Sequence, residues 1–224
     1  MRVIFNEEMR QVADDMEQMA GAVSHAIKTA GVALLGPDLE AAQEVIDGDQ
    51  AIDELESTVI DQCVQLLAKQ SPVATDLRVV VSTLRLAATF ERMGDLSRHV
   101  AEAVRRSYPD APLPPEAREL FAQMQAFLDT LADRLVDMMS ERDTKVAERI
   151  IVEDDQLDKL HQQTFDLALS DKWQGSKQQM IDLVLLARFM ERIGDHGVSA
   201  ARRVVYIVSG FDPSKDPKDL EDID

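Results

Sequence analysis

Four pairs of acidic residues stand four positions apart in this chain: Asp49 and Asp53, Glu91 and Asp95, Asp154 and Asp158, Glu191 and Asp195. On a helix, residues i and i+4 project from one face, and two carboxylates there repel by roughly 0.2–0.5 kcal/mol unless something positive lies between them. The pairs are related. Glu91-Arg-Met-Gly-Asp95 returns 100 residues later as Glu191-Arg-Ile-Gly-Asp195, and Asp49-Gln-Ala-Ile-Asp53 is matched 105 residues later by Asp154-Asp-Gln-Leu-Asp158. Oxygen-rich, cysteine-free donors of this kind suit hard or borderline cations such as Mg²⁺, Mn²⁺ or iron. More than four converging carboxylates would also allow several bridged ions. These eight residues are therefore the candidate metal ligands. The competing reading is a salt-bridged seam, with Arg78, Arg85 and Arg92 in the first half and Arg188, Arg192 and Arg202 in the second.

The elements that must position them can be read from proline and apolar spacing. All eight prolines fall outside the periodic stretches, as expected if those stretches are helices, where an interior proline costs about 3 kcal/mol. Six helices are predicted, over about 6–34, 38–70, 75–107, 115–140, 143–170 and 177–209. Gly36-Pro37 and Ser71-Pro72 close the first two, and Ser176 with Gln179 forms a capping box for the last, which Gly210 closes. On the second helix Val45, Ile52, Val59 and Leu66 make an apolar stripe that Asp49 and Glu56 share, with Asp53 on its margin. Asp154 and His161 hold the equivalent slots on the fifth. Carboxylates entering a helix–helix seam cost several kcal/mol each unless paired or metal-bound. Gly94 and Gly194, inside the repeated motifs, are expected to serve close helix packing. His25, His99 and His196 lack mirrored partners and are expected at the surface or in seams.

Residues 108–115 carry four prolines and mark the chain's boundary. The expected architecture is all-α: two tandem three-helix bundles built from six long antiparallel helices, over residues 1–108 and 114–210, followed by an acidic tail at 211–224 that is expected to fray. No β-strand is expected. Forty-two acidic against 24 basic residues give a net charge of −18, which disfavours nucleic acid and anionic membrane surfaces. No stretch reads as a secretory signal or a transmembrane helix, so a cytoplasmic location without membrane insertion is expected. The single cysteine, Cys63, falls in an apolar stripe and reads as core. Asp47-Gly-Asp49 does not fit a calcium EF-hand loop. No phosphate-cradling glycine loop or nucleophile–base signature is present, so no enzyme is expected. A di-iron carboxylate enzyme would need Glu-x-x-His motifs. The nearest case, Asp158-x-x-His161, has no mirror.

Two three-helix repeats carrying Glu-Arg-x-Gly-Asp, each preceded by Asp-x-x-x-Asp one helix earlier, resemble the PhoU family of phosphate-signalling regulators. Pro72-Val-Ala-Thr-Asp-Leu-Arg78, opening the third helix, strengthens the likeness; Ser176-Lys-Gln-Gln179 stands at the corresponding place in the second half, which leaves room for two unequal sites. The resemblance implies a cytoplasmic negative regulator of phosphate uptake and of the phosphate-starvation response. It implies an adaptor between a phosphate ABC transporter and a sensor histidine kinase, commonly a homodimer. It also implies metal ions, in some members multinuclear clusters, held here by Asp49, Asp53, Glu91 and Asp95 at one site and Asp154, Asp158, Glu191 and Asp195 at the other.

Overall fold

A computed structural model of the chain describes residues 2–141 and 143–210. The acidic tail, 211–224, lies outside the described residues. The long helices are α1 (Arg2–Leu35), α2 (Leu39–Gln70), α3 (Ala74–Ser107), α4 (Arg118–Glu141), α5 (Thr144–Glu153), α6 (Asp155–Ala168) and α7 (Lys177–Ser209). A 3₁₀ turn at Pro115–Ala117 leads into α4. No strand occurs among the described residues. No helix among them is long and apolar enough to cross a membrane.

Two features differ from the sequence expectation. The first helix starts at Arg2 rather than near residue 6. The fifth rod is interrupted at Asp154, where Leu157 N–H reaches the Asp154 carbonyl at 2.9 Å and the ordinary helical bond from Asp158 N–H stretches to 3.5 Å. Three successive acids, Glu153-Asp154-Asp155, stand at the break, and aspartate competes with the helix for its own backbone. The caps form where the sequence places them. Ser71 ends α2 in the left-handed region, Ser176 and Gln179 make the reciprocal capping box of α7, and Gly210 closes α7 at φ +78°. Asp38 adds an N-cap to α2, accepting from the backbone N–H of Glu40 and Ala41.

The predicted stripes turn inward. Val45, Ile52, Val59, Cys63 and Leu66 of α2 are buried, as are Leu86, Phe90, Met93, Val100 and Val104 of α3. Burial pushes the Cys63 thiol up to about 11, so it behaves as core rather than as a nucleophile. In the first half α1, α2 and α3 pack on one another; in the second α4, the broken α5–α6 rod and α7 do the same. The halves meet through α3 against α7 and α1 against α4, and the buried side chains form one cluster across both.

A charged clamp sits in that junction. Asp182 of α7 is only 1% exposed, and Arg106 of α3 reaches its carboxylate at 2.5 Å while Gln178 donates to both oxygens at 3.2 Å. The Arg78 guanidinium performs a related task at the other end of α7: it donates to the Ile207 carbonyl at 3.2 Å and lies 5.8 Å from the Tyr206 ring centroid. The Thr-Asp-Leu-Arg stretch that opens α3 thus holds the last turn of α7, where unpaired helix carbonyls need donors.

The repeated glycines lie where α3 and α7 cross the preceding rods. A Cβ on Gly94 would stand 2.9 Å from Ile52 Cδ1 and 3.5 Å from an Asp49 oxygen. A Cβ on Gly194 would stand 2.5 Å from Leu157 Cδ2 and 3.5 Å from an Asp154 oxygen. The two crossings repeat one contact, a glycine against an aliphatic side chain beside an aspartate oxygen, and packing sets the need for glycine at both.

Two stability measurements follow from these contacts. Replacing Arg106 with Met strands a buried carboxylate and is expected to cost about 1–3 kcal/mol in urea unfolding, the exposed guanidinium head holding the figure to that range. Adding Asp182→Asn should recover part of the loss; no recovery would show that the clamp is not electrostatic. Gly21, whose Cβ would meet nothing within 4 Å, provides a control for Gly194. Gly21→Ala should stabilise by up to about 1 kcal/mol through helix propensity alone. Gly194→Ala gains the same propensity but overpacks against Leu157 and should be destabilising. Equal effects at the two positions would refute the close-crossing account.

Candidate metal centres

The first acidic cluster is assembled by α2 and α3. Asp49 and Glu56 are half-buried on the inward face of α2, and Asp53 is exposed at its margin. Glu91 and Asp95 are half-buried on α3. The Gly94–Ile52 contact brings these faces together, close enough for the charges to act on one another. Burial, then Asp53 and Asp95, raise the Asp49 carboxyl above its ordinary range. Burial, then Asp53, do the same for Glu56. Glu91 is pushed up to about 7 by burial and by the neighbouring Asp95. Burial also works upward on Asp95, but Arg98 outweighs it and holds that carboxyl lower.

Arg98 is the central cation here, and the sequence reading passed over it. Its guanidinium lies 2.5 Å from Asp49, 2.7 Å from Asp95 and 2.9 Å from Glu102. Arg92 borders the cluster, 3.5 Å from Glu91 and 3.1 Å from Asp95. Of the arginines named for a salt-bridged seam in this half, Arg92 takes part, Arg78 is engaged at the end of α7, and Arg85 is exposed. The spacing of Arg98 from Asp95 and Glu102, three before and four after, was a signal available in the sequence.

The second cluster is assembled by the α5–α6 rod and α7 around the Gly194–Leu157 contact. Asp154 is half-buried at the helix break, Asp158 and Asp195 are exposed, and Glu191 is 8% exposed. Burial, then Asp158 and Asp195, push Asp154 up to about 6. Glu191 is raised by burial and by Asp195. Arg188 pairs with one oxygen of Glu191. The other, Oε2, is buried without a hydrogen-bond partner. His161, which stands where the first half has Glu56, places Nδ1 4.0 Å from Glu191, and its buried Nε2 also lacks a partner. Burial and the charge of Arg188 lower its proton affinity, which favours the neutral imidazole. Asp155, the extra acid of this half, is exposed.

Each half therefore brings its four candidate ligands to one helix crossing. Among the described residues, no group of three or more His, Cys, Asp or Glu side chains is gathered closely enough to hold an ion as arranged. The donor set nonetheless fits a cation: oxygen donors predominate, their negative charge exceeds that of the nearby arginines, and Glu191 Oε2 has nothing to bond to. The remaining histidines stand apart from these sets. His25 pairs with Glu44 at 2.7 Å, His99 stacks obliquely on Phe189 at 5.3 Å between centroids, and His196 is half-buried beside Arg192.

The model of the PhoU domain matches this chain twice, over residues 16–104 and 121–204. The phosphate-specific transport system accessory protein PhoU homolog 2 of Mycobacterium tuberculosis is 35% identical over 213 residues, 95% of this chain and 100% of that protein. PhoU homolog 1 of Mycobacterium leprae is 34% identical over 216 residues, 96% of this chain and 97% of its own. The crystal structure of PhoU from Pseudomonas aeruginosa superposes with a TM-score of 0.80 at 26% identity, covering 92% of this chain and all of that one. The phosphate transport system regulatory protein PhoU from Streptococcus pneumoniae gives 0.77 at 25% identity, over 93% and 98%. These relatives bear the names of accessory and regulatory proteins rather than enzymes. With both repeats matched and relatives aligned along nearly their whole length, this chain belongs to the PhoU family.

Proposed function

We propose that this protein is a cytoplasmic negative regulator of phosphate uptake and of the phosphate-starvation response. It acts as a metal-binding adaptor between a phosphate ABC transporter and a sensor histidine kinase, and works as a homodimer. The observation that carries the metal assignment is the duplicated crossing, at which partly buried carboxylates outnumber the arginines beside them. Asp49, Asp53, Glu91 and Asp95 would hold cations at one crossing, and Asp154, Asp158, Glu191 and Asp195 at the other. The regulatory part rests on family membership and on the accessory role that the relatives' names give them.

Charge constrains how such a protein could sense its signal. At −18 it repels free inorganic phosphate. Direct sensing would need metal ions in the clusters to bridge the anion. Calorimetry of phosphate binding to metal-loaded and chelator-treated protein separates the cases, and binding in the chelated state would refute bridging.

A metal-free helical scaffold is the second reading, favoured by the pairing of Arg92, Arg98 and Arg188 with the acids. The two readings predict different melting behaviour. Because a ligand confined to the native state stabilises it, Mn²⁺ at a hundredfold excess over its Kd should raise the Tm of chelator-stripped protein by about 5–10 °C. The rise should shrink when Asp53 and Asp95 are changed to Asn, and again when Asp158 and Asp195 are. A Tm indifferent to both Mn²⁺ and chelator, with elemental analysis of gently purified protein finding no metal, would favour the scaffold.

A further inference from the structure

The two crossings repeat the same glycine contact but differ in charge. One hundred residues beyond Glu91 and Asp95 stand Glu191 and Asp195, yet the counterpart of Arg98 is Val198 and that of Glu102 is Arg202. Val198 is buried and apolar. Arg202 acts on Asp154 and Arg188 pairs with Glu191, but among the described residues no arginine of the second crossing forms ion pairs with acids of both helices as Arg98 does. Arg188 meets Glu191 from an exposed rim position and leaves Oε2 buried and unpartnered. In the first crossing one guanidinium touches Asp49 of α2 and Asp95 and Glu102 of α3. Its fit is incomplete. Arg98 Nε lies 2.5 Å from Asp49 but is not aligned for a hydrogen bond, and it has no other partner.

We propose that Arg98 is a built-in counter-cation of the first cluster: a divalent ion binds there in competition with a guanidinium that ties Asp49 to Asp95, whereas in the second cluster Arg188 holds only one oxygen of Glu191 and the ion meets less competition. This inference rests on the metal-binding reading above. Arg98 takes Asp49 Oδ2 and Asp95 Oδ1 while Arg92 takes Asp95 Oδ2, so a divalent ion must compete for these oxygens and enter against a fixed positive charge. The two sites are thus ordered in affinity by one side chain. Because Arg98 springs from α3 and reaches Asp49 on α2, filling the first site exchanges a side-chain tie between the two helices for a metal tie. The second crossing undergoes no such exchange.

The test uses the full chain, stripped with chelator and titrated with Mn²⁺ by calorimetry. Wild-type protein should show a tighter and a weaker class of sites, and Asp158→Asn with Asp195→Asn should abolish the tighter one. In that double-variant background, Arg98→Gln should tighten the remaining sites by about tenfold or more, and Arg98→Lys, which keeps the charge but loses the three-way fork, should fall between. Circular dichroism monitors folding. If Arg98→Gln is unfolded without metal, its refolding on Mn²⁺ addition at concentrations that leave the parent unchanged supports the proposal equally. Identical first-site affinity with Arg, Lys and Gln at 98, alongside a working second site, overturns the role of Arg98 and leaves the metal reading standing. Absence of Mn²⁺ binding by the wild-type protein overturns both.

Discussion

Bringing like charges together inside a helical protein requires the helices to approach closely and something positive to meet the charges. Glycine supplies the approach. At residues 94 and 194 the absence of a side chain lets Ile52 and Leu157 fill the space a Cβ would need, and an aspartate one turn away on the same rod is carried to within 3.5 Å of that point. The hydrophobic contact and the carboxylate position are thus one geometric fact. Moving either rod outward to relieve repulsion would open a gap at a contact where interior packing allows few voids. Apolar burial holds the acids together against their mutual repulsion.

The consequence is a protein with two charged seams built into a continuous apolar core. The seams lie along α2–α3 and along the α5–α6 rod with α7, while α3 and α7 also form the junction between the halves. Each of these two helices carries acids of a cluster and a face of the junction. A change of charge at either crossing is therefore presented to a helix that also packs against the other half, through the Arg106–Asp182 clamp and the Arg78 contact at the end of α7. One rigid rod thus serves both an acidic crossing and the junction between the halves.

Much of this was legible in the sequence. Proline confinement and three–four spacing located the helices, because interior proline is costly and a core-facing helix repeats its apolar residues at that period. The repeat located the acids and the glycines. Three things were not legible. The break at Asp154 falls on a pair of poor helix formers, Asp154-Asp155, but Asp14-Asp15 stays helical within α1, so tertiary context also counts: Glu153 beside the break is drawn to Arg134 of α4 at 2.5 Å. The role of Arg98 was masked by a more conspicuous heptad row, Arg78, Arg85 and Arg92, whose members scatter to different tasks once α7 packs against α3. Asp182 looks like any surface acid in a sequence, and its near-complete burial depends on which half of the molecule lies over it.

The balance of charge bears on why the arginines do not settle the matter. Around the first crossing Asp49, Asp53, Glu56, Glu91, Asp95 and Glu102 face Arg92 and Arg98, and around the second Asp154, Asp155, Asp158, Glu191 and Asp195 face Arg188 and Arg202. If salt bridging were the whole design, the paired acids would be held at or below their ordinary proton affinity, as Asp95 is beside Arg98. Instead Glu91 is pushed up to about 7 and Asp154 to about 6, with burial the leading cause and neighbouring acids adding to it. Partly buried carboxylates in this condition have electrostatic free energy to gain from any further positive charge. Such groups at both crossings, with an imidazole in place of a carboxylate at one of them, are the charge that the proposed cations would neutralise.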